Sequence, residues 1–263
     1  TGRLLTHDTW GGYTGWATDG RVKVFIDGRL PAYGGTLFQD YLRIVWGDAE
    51  ACLPLLRQYQ IEGLLLSPKS DVRCFRQLWT SGDWTLVYWD DVSQLYVRNE
   101  GCNRELATRF GFYAVDPKQQ PYFDAQQCEL ALTEIRRAQT MTPDSAQPFF
   151  FEGDLCLRLG RLEESRRAFT AALGLAPEHT PAHLGLGMIA RTSGQPDEAE
   201  RCFRRVIALR DDPATYALAC YQLASMLAVD PARRPEGLRW AREAARTLPD
   251  WAEAKKLITD LER

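Results

Sequence analysis

The residues with the most chemistry in their spacing are Asp27-Gly28-Arg29, which close the apolar run Val22-Lys23-Val24-Phe25-Ile26. A strand that ends in an acid and a base is where α/β sheets place ligands. Asp27 would accept from a sugar hydroxyl and Arg29 would hold a phosphate. The alternative is that the two side chains pair and brace their own loop. Trp10, Tyr13, Trp16 and Tyr33 are aromatic surfaces for a sugar ring, or core residues. Trp10, Asp27, Arg29 and Tyr33 therefore form the candidate ligand loop. Gly11-Gly12 and Gly34-Gly35 fit neither a dinucleotide fingerprint nor a P-loop, and read as tight turns. Asp90-Asp91 is a carboxylate pair that a hairpin turn explains.

The remaining chemistry is sparse. The histidines are His7, His179 and His183, so a Ser/His/Asp set cannot be assembled around the single His of the N-terminal half. Seven cysteines (Cys52, Cys74, Cys102, Cys128, Cys156, Cys202 and Cys220) include no C-x-x-C pair and no Cys/His cluster, which argues against zinc. Their odd number excludes a fully stapled fold and leaves room for one or two bridges. These residues predict no catalysis, no metal and no cofactor.

The bulk numbers are those of a globular chain. In 263 residues, 45% are hydrophobic and 25% charged, and the net charge is −3. A nucleic-acid binder would carry a basic surplus or stripe, and none is present. The pairs Arg136-Arg137, Arg166-Arg167, Arg204-Arg205 and Arg233-Arg234 sit among acids and read as solvated helix faces. No stretch reaches the ~18 apolar residues of a membrane span, and no signal peptide is visible. The opening Thr1-Gly2-Arg3, without Met, reads as a chain cut from a longer protein.

Up to about residue 115 the chain alternates strands and helices. Arg3–Thr6, Val22–Ile26, Ile61–Leu66, Trp84–Trp89 and Gln94–Arg98 read as strands, the last two as a hairpin around Asp90-Asp91-Val92. Phe38–Val45, Ala49–Tyr59 and Val72–Thr80 read as helices. This predicts an α/β domain with a mixed, mostly parallel sheet and a terminal hairpin. Pro117 and Pro121 make the stretch that follows a stiff linker.

The C-terminal half repeats itself. Pro143 and Pro177, Ala138 and Ala172, Gly153 and Gly187, Gly160 and Gly194, and Phe169 and Phe203 are each 34 residues apart. Phe149, Gly153, Phe169, Ala172 and Pro177, then Leu186, Gly187, Ala199 and Phe203 with the closing Pro moved to Pro213, resemble the tetratricopeptide pattern. Gly153 and Gly187 are expected where two helices approach closely, Phe169 and Phe203 in the gaps between hairpins, and Gly160 and Gly194 in the turns. A third, degenerate unit spans Pro213–Val229 and Glu236–Thr247, with a longer turn at Asp230–Pro235. Trp251, Ala254, Leu257, Ile258 and Leu261 form the buried face of a capping helix. Ala125–Thr140 matches the second helix of a repeat and is expected to start the stack.

The tetratricopeptide resemblance implies an all-α helical-hairpin solenoid that binds a protein or peptide along the face of its first helices. On this chain that face carries Gln147, Phe150, Asp154, Leu157, Arg158, Leu184, Met188, Arg191 and Thr192. Asp154 and Met188 stand where family members that clamp a C-terminal carboxylate carry Asn, so that ligand class is disfavoured.

A second resemblance covers residues 3 to 115. Asp8-Thr9-Trp10-Gly11-Gly12-Tyr13, Val24-Phe25-Ile26-Asp27-Gly28-Arg29 with Tyr33, and Trp84–Tyr88 with Asp91 and Leu95–Arg98 resemble a region of large bacterial multi-span membrane proteins. Those proteins are glycosyltransferase-like and use polyprenyl-phosphate sugars. The resemblance implies an extracytoplasmic, periplasmic-side tail whose parent carries the catalytic groups elsewhere.

The reading is an α/β domain at 1–115, a linker at 116–123 and a tetratricopeptide-like array with a capping helix at 124–263. Its expected function is a non-catalytic interaction module, the soluble tail of a membrane protein in envelope glycan or glycoprotein assembly. Two alternatives are a cytoplasmic scaffold, which seven unpaired cysteines would suit, and a sugar-phosphate enzyme at Asp27 and Arg29.

Overall fold

The computed structural model describes residues 2–68, 81–115 and 125–262. The expected helix at Val72–Thr80, Cys74 and the 116–123 linker lie outside them. The chain divides into two compact units, Thr1–Thr142 and Pro143–Arg263.

The first unit is built on a five-stranded sheet of order β2-β1-β3-β5-β4. β1 (Arg3–Thr6) leads through α1 (Asp8–Ala17) to β2 (Lys23–Val24). A 3-10 turn at Leu30–Tyr33, α2 (Gly34–Trp46) and α3 (Ala49–Gln58) then carry the chain to β3 (Ile61–Leu66). β1 lies parallel to both β2 and β3. β4 (Trp84–Trp89) and β5 (Gln94–Arg98) form an antiparallel hairpin on β3. The sheet is therefore mixed, half parallel and half antiparallel by strand pairing. Ile61, Leu64 and Leu66 are buried because β3 is central. In the hairpin turn Asp90 Oδ1 accepts from the Val92 and Ser93 amides at 2.8 and 2.6 Å, so this carboxylate is a turn former.

Three sequence expectations fail here for tertiary reasons. Gly11 and Gly12 lie inside α1, not in a turn. A Cβ at Gly11 would stand 2.3 Å from the Ile26 carbonyl oxygen, so the glycine lets the helix press onto the loop after β2. Gly34 has φ +66° and still turns the chain, but Gly35 continues into α2. Tyr13 and Trp16 are not core: they are 69% and 77% exposed on α1. The strand expected over Val22–Ile26 shortens to Lys23–Val24, although Phe25 and Ile26 remain buried and the Phe25 amide still donates to Leu4.

Cys52, fully buried on α3, is disulfide-bonded. The argument from seven unpaired cysteines therefore does not hold. Cys102, Cys202 and Cys220 keep free thiols, and Cys102 is exposed.

The first unit ends with α4 (Asn103–Phe110) and α5 (Ala125–Met141). α5 carries the repeat's small buried residues, Ala131 and Ala138, yet its polar side chains grip this unit. Glu134 accepts from the amides of Tyr113, Ala114 and Val115 at 2.8–3.0 Å. Arg137 donates to the Gly111 carbonyl at 2.6 Å and lies over the Phe112 ring. The two compact units divide after α5.

The second unit is a run of helical hairpins. α6 (Ala146–Arg158) pairs with α7 (Leu162–Leu175), and α8 (Thr180–Thr192) with α9 (Pro196–Leu209). α10 (Pro213–Leu227) pairs with α11 (Arg234–Thr247), and α12 (Ala252–Glu262) packs on α11. Gly160 and Gly194 make the first two turns at φ +72° and +71°, where a Cβ is disfavoured. Phe169 lies between α6 and α8, because a Cβ at Gly153 or Gly185 would approach its ring to 2.5 or 2.4 Å. Phe203 sits likewise against Gly187. On α12, Ala254 and Leu261 are buried, and Trp251 just before it stacks on Tyr221, as a cap requires.

Ion pairs cross from one second helix to the next. Arg166 reaches Glu198 at 3.1 Å. Arg204 bridges Glu200 and Glu236 at 2.9 and 2.6 Å, and Arg233 reaches Glu200 at 2.6 Å. Arg233, with Arg204 behind it, holds the Glu200 carboxyl down at about 2 against the opposing effect of burial. A carboxylate depressed on folding stabilises above its ordinary value of 4.5, and that contribution is lost as pH falls toward 2. Glu200→Gln should cost about 1 kcal/mol at neutral pH and less in high salt, because the pairs are partly exposed. Urea melts at pH 7 and pH 3 check this. The variant should lose less between the two values than the parent chain; an equal loss would show that the network is idle.

Candidate binding groove

The residues expected to line the groove lie on two first helices, α6 and α8. The structure sorts them into two sets. Leu184, 8% exposed, is packed into the core with Phe203 and Tyr216. Phe150 is half-buried, its ring 4.9 Å from His179 and 6.0 Å from Phe169. Leu157 and Met188 pack at the margins of the same cores. These four make the floor. Gln147 is half-buried on the first turn of α6. Asp154 pairs with Arg158 at 2.9 Å; burial pushes the Asp154 carboxyl above the usual range, and Arg158 opposes that shift. Arg158, Arg191 and Thr192 are exposed. The open part of the face is therefore polar and ionic, over an apolar floor.

A cavity of about 530 Å³ lies beyond the expected residues, lined by Arg191, Gly194, Pro196, Ser225, Met226 and Val229. Only Arg191 belongs to the groove read from the sequence. Ser225, Met226 and Val229 come from the degenerate third unit, whose longer turn was the available signal.

In the first unit Asp27, Arg29 and Tyr33 come together, but they close on each other. Arg29 donates to both Asp27 oxygens, its Nη2 at 2.5 Å, and its amide caps Oδ1 at 3.0 Å. Arg29 holds the Asp27 carboxyl well below the usual carboxylate range, with a further hydrogen bond from Tyr33, and Asp27 is 5% exposed. This is the loop-bracing arrangement. Trp10 is half-buried on α1. A second cavity, about 440 Å³, is lined by Arg57, Arg98, Asp83 and Glu100 together with Trp84, so its charges balance. Among the described residues no group of three or more His, Cys, Asp or Glu is placed to hold a metal, and no helix is long and apolar enough to cross a membrane.

The tetratricopeptide repeat family model matches residues 122–180 and 152–214. The helical array is built of tetratricopeptide repeats. "Tetratricopeptide repeat protein 8" of Caenorhabditis elegans is 36% identical over 81 residues, which are 30% of this chain and 16% of that protein. The chain thus spans well under a fifth of that relative. Among solved structures, MamA covers 52% of this chain and 72% of its own at 15% identity and a TM-score of 0.44. A thermophilic tetratricopeptide protein of Thermus thermophilus covers 52% and 73% at 20% identity, also with a TM-score of 0.44. The matched tetratricopeptide segment begins before α5, so α5 has the repeat's pattern while serving the first unit. Tetratricopeptide repeats are protein–protein interaction modules, and this chain carries one.

Proposed function

We propose that the chain is the soluble extracytoplasmic part of a membrane-anchored protein in envelope glycan or glycoprotein assembly, where it binds a protein partner rather than catalysing. The observation that carries the binding role is the open first-helix face of the tetratricopeptide array, polar at Asp154, Arg158, Arg191 and Thr192 over an apolar floor. Such a face suits a peptide or a partner helix. The Trp10–Tyr13 and Phe25–Arg29 resemblance supports the membrane-protein context. The Cys52 disulfide supports an oxidising compartment, because reducing ones keep thiols reduced. The closed Asp27–Arg29 pair favours a scaffold role for the first unit over sugar-phosphate chemistry.

Cys102 offers the test of location, being exposed and free. A membrane-impermeant maleimide small enough to pass an outer membrane should label it in intact cells, and Cys102→Ser should remove that label. Labelling only after lysis would place the chain in the cytoplasm and overturn this reading.

A further inference from the structure

The repeat departs from its own rule at one place. The turns Leu159–Arg161 and Ser193–Gln195 have three residues, whereas Ala228–Arg233, between α10 and α11, has six. Insertions in a repeat map to loops on one face, often the binding face. This one is ordered. The Asp230 amide donates to the Leu227 carbonyl at 3.2 Å, and Asp230 Oδ1 accepts from the Ala232 amide at 2.9 Å. At its far end Arg233 is fixed to Glu200 by two hydrogen bonds of 2.8 and 2.6 Å. So anchored, the turn holds Val229 outward at 84% exposure, beside Met226. An aliphatic side chain fixed in water by an ordered loop gains nothing for the fold.

Val229 and Met226 form one side of the 530 Å³ cavity, and Pro196 and Gly194 contribute from the facing turn and helix start. That volume is within the ~300–1,000 Å³ of small-ligand pockets. Arg191 is the one charged lining residue, and its guanidinium has no ion pair or side-chain hydrogen bond among the described residues. Arg158, Arg166, Arg204 and Arg233 are all paired with acids. An apolar recess with a single uncompensated cation selects an apolar group next to an anion.

We infer that this edge cavity, made by the lengthened third turn, binds a partner segment in which an apolar side chain stands beside a carboxylate. The apolar side chain enters between Met226, Val229 and Pro196, and the carboxylate pairs with Arg191. The inference rests on the interaction-module reading and adds the chemistry of the partner.

The test is fluorescence polarisation of the whole chain with fluorescein-labelled pentapeptides holding an adjacent leucine and aspartate. Leucine–lysine and serine–aspartate peptides serve as controls. The leucine–aspartate peptide should bind, and both controls should bind roughly tenfold more weakly or worse. Val229→Asp and Arg191→Glu should each weaken binding by a similar factor with an unchanged melting temperature, since both side chains are exposed. Equal binding of the controls, no binding of any peptide, or indifference to both substitutions would overturn the inference. If Val229→Asp instead turns a self-associated chain into monomers, the occupant is a second copy and the peptide assignment falls. Should Arg158→Glu with Thr192→Glu abolish partner capture while no peptide binds here, the interaction reading stands and this cavity is not part of it.

Discussion

Phe169→Ala should destabilise the C-terminal unit by about 3–5 kcal/mol, the range for removing a fully buried Phe. The ring is 1% exposed and occupies the gap between α6 and α8. Gly153 and Gly185 face it with no side chain, each so close that an added Cβ would approach it to 2.5 or 2.4 Å. On those two sides no side chain can move in, so part of the vacated space stays open. Because each hairpin of a solenoid rests chiefly on its neighbours, the damage falls on the interface between the first two hairpins. Phe169→Leu should lose less than half as much. Urea unfolding followed by far-UV circular dichroism measures both. A loss below about 1 kcal/mol for the alanine variant would show that the gap closes by itself.

The second large effect is expected at Glu134. Its two oxygens accept from the amides of Tyr113, Ala114 and Val115, and it is 5% exposed. Glu134→Gln keeps the shape but turns an amide group, itself a donor, toward backbone donors. Charge-assisted bonds are lost and at least one buried N–H is left without an acceptor, for a cost on the order of 3 kcal/mol. Hydrogen exchange at the Ala114 and Val115 amides should accelerate in the variant, and the first unit should melt earlier. Unchanged protection of both amides would mean that Glu134 is not their clamp.

These two positions also mark how far the sequence could be read. Phe169 and Gly153 were legible because a 34-residue step repeats the residue types that the packing needs. Gly185 was not, since it serves the neighbouring hairpin and has no partner at that step. In α5, Ala131 and Ala138 carry the repeat's spacing, whereas Glu134 and Arg137 fix the helix on the first unit through backbone groups that no periodicity reveals. Gly11 read as a turn because glycine pairs mark turns; its actual role, close approach to Ile26, exists only in the folded chain. The exposure of Tyr13 and Trp16 was hidden for the same reason.

The candidate sites divide similarly. Asp27 and Arg29 are two residues apart, so their local pairing was foreseeable from the chain itself. The polar face at Asp154, Arg158 and Arg191 followed from repeat register. The Met226–Val229 wall did not, because the lengthened turn breaks the register that would have carried the face onward.

The central claim is that the tetratricopeptide array binds a protein through its first-helix face. The direct measurement is cross-linked capture by the chain, compared with a variant carrying Arg158→Glu and Thr192→Glu at exposed positions. The account predicts a retained partner that the variant loses while keeping the helical circular-dichroism spectrum of the folded parent chain. Retention of the same proteins by both chains would contradict it.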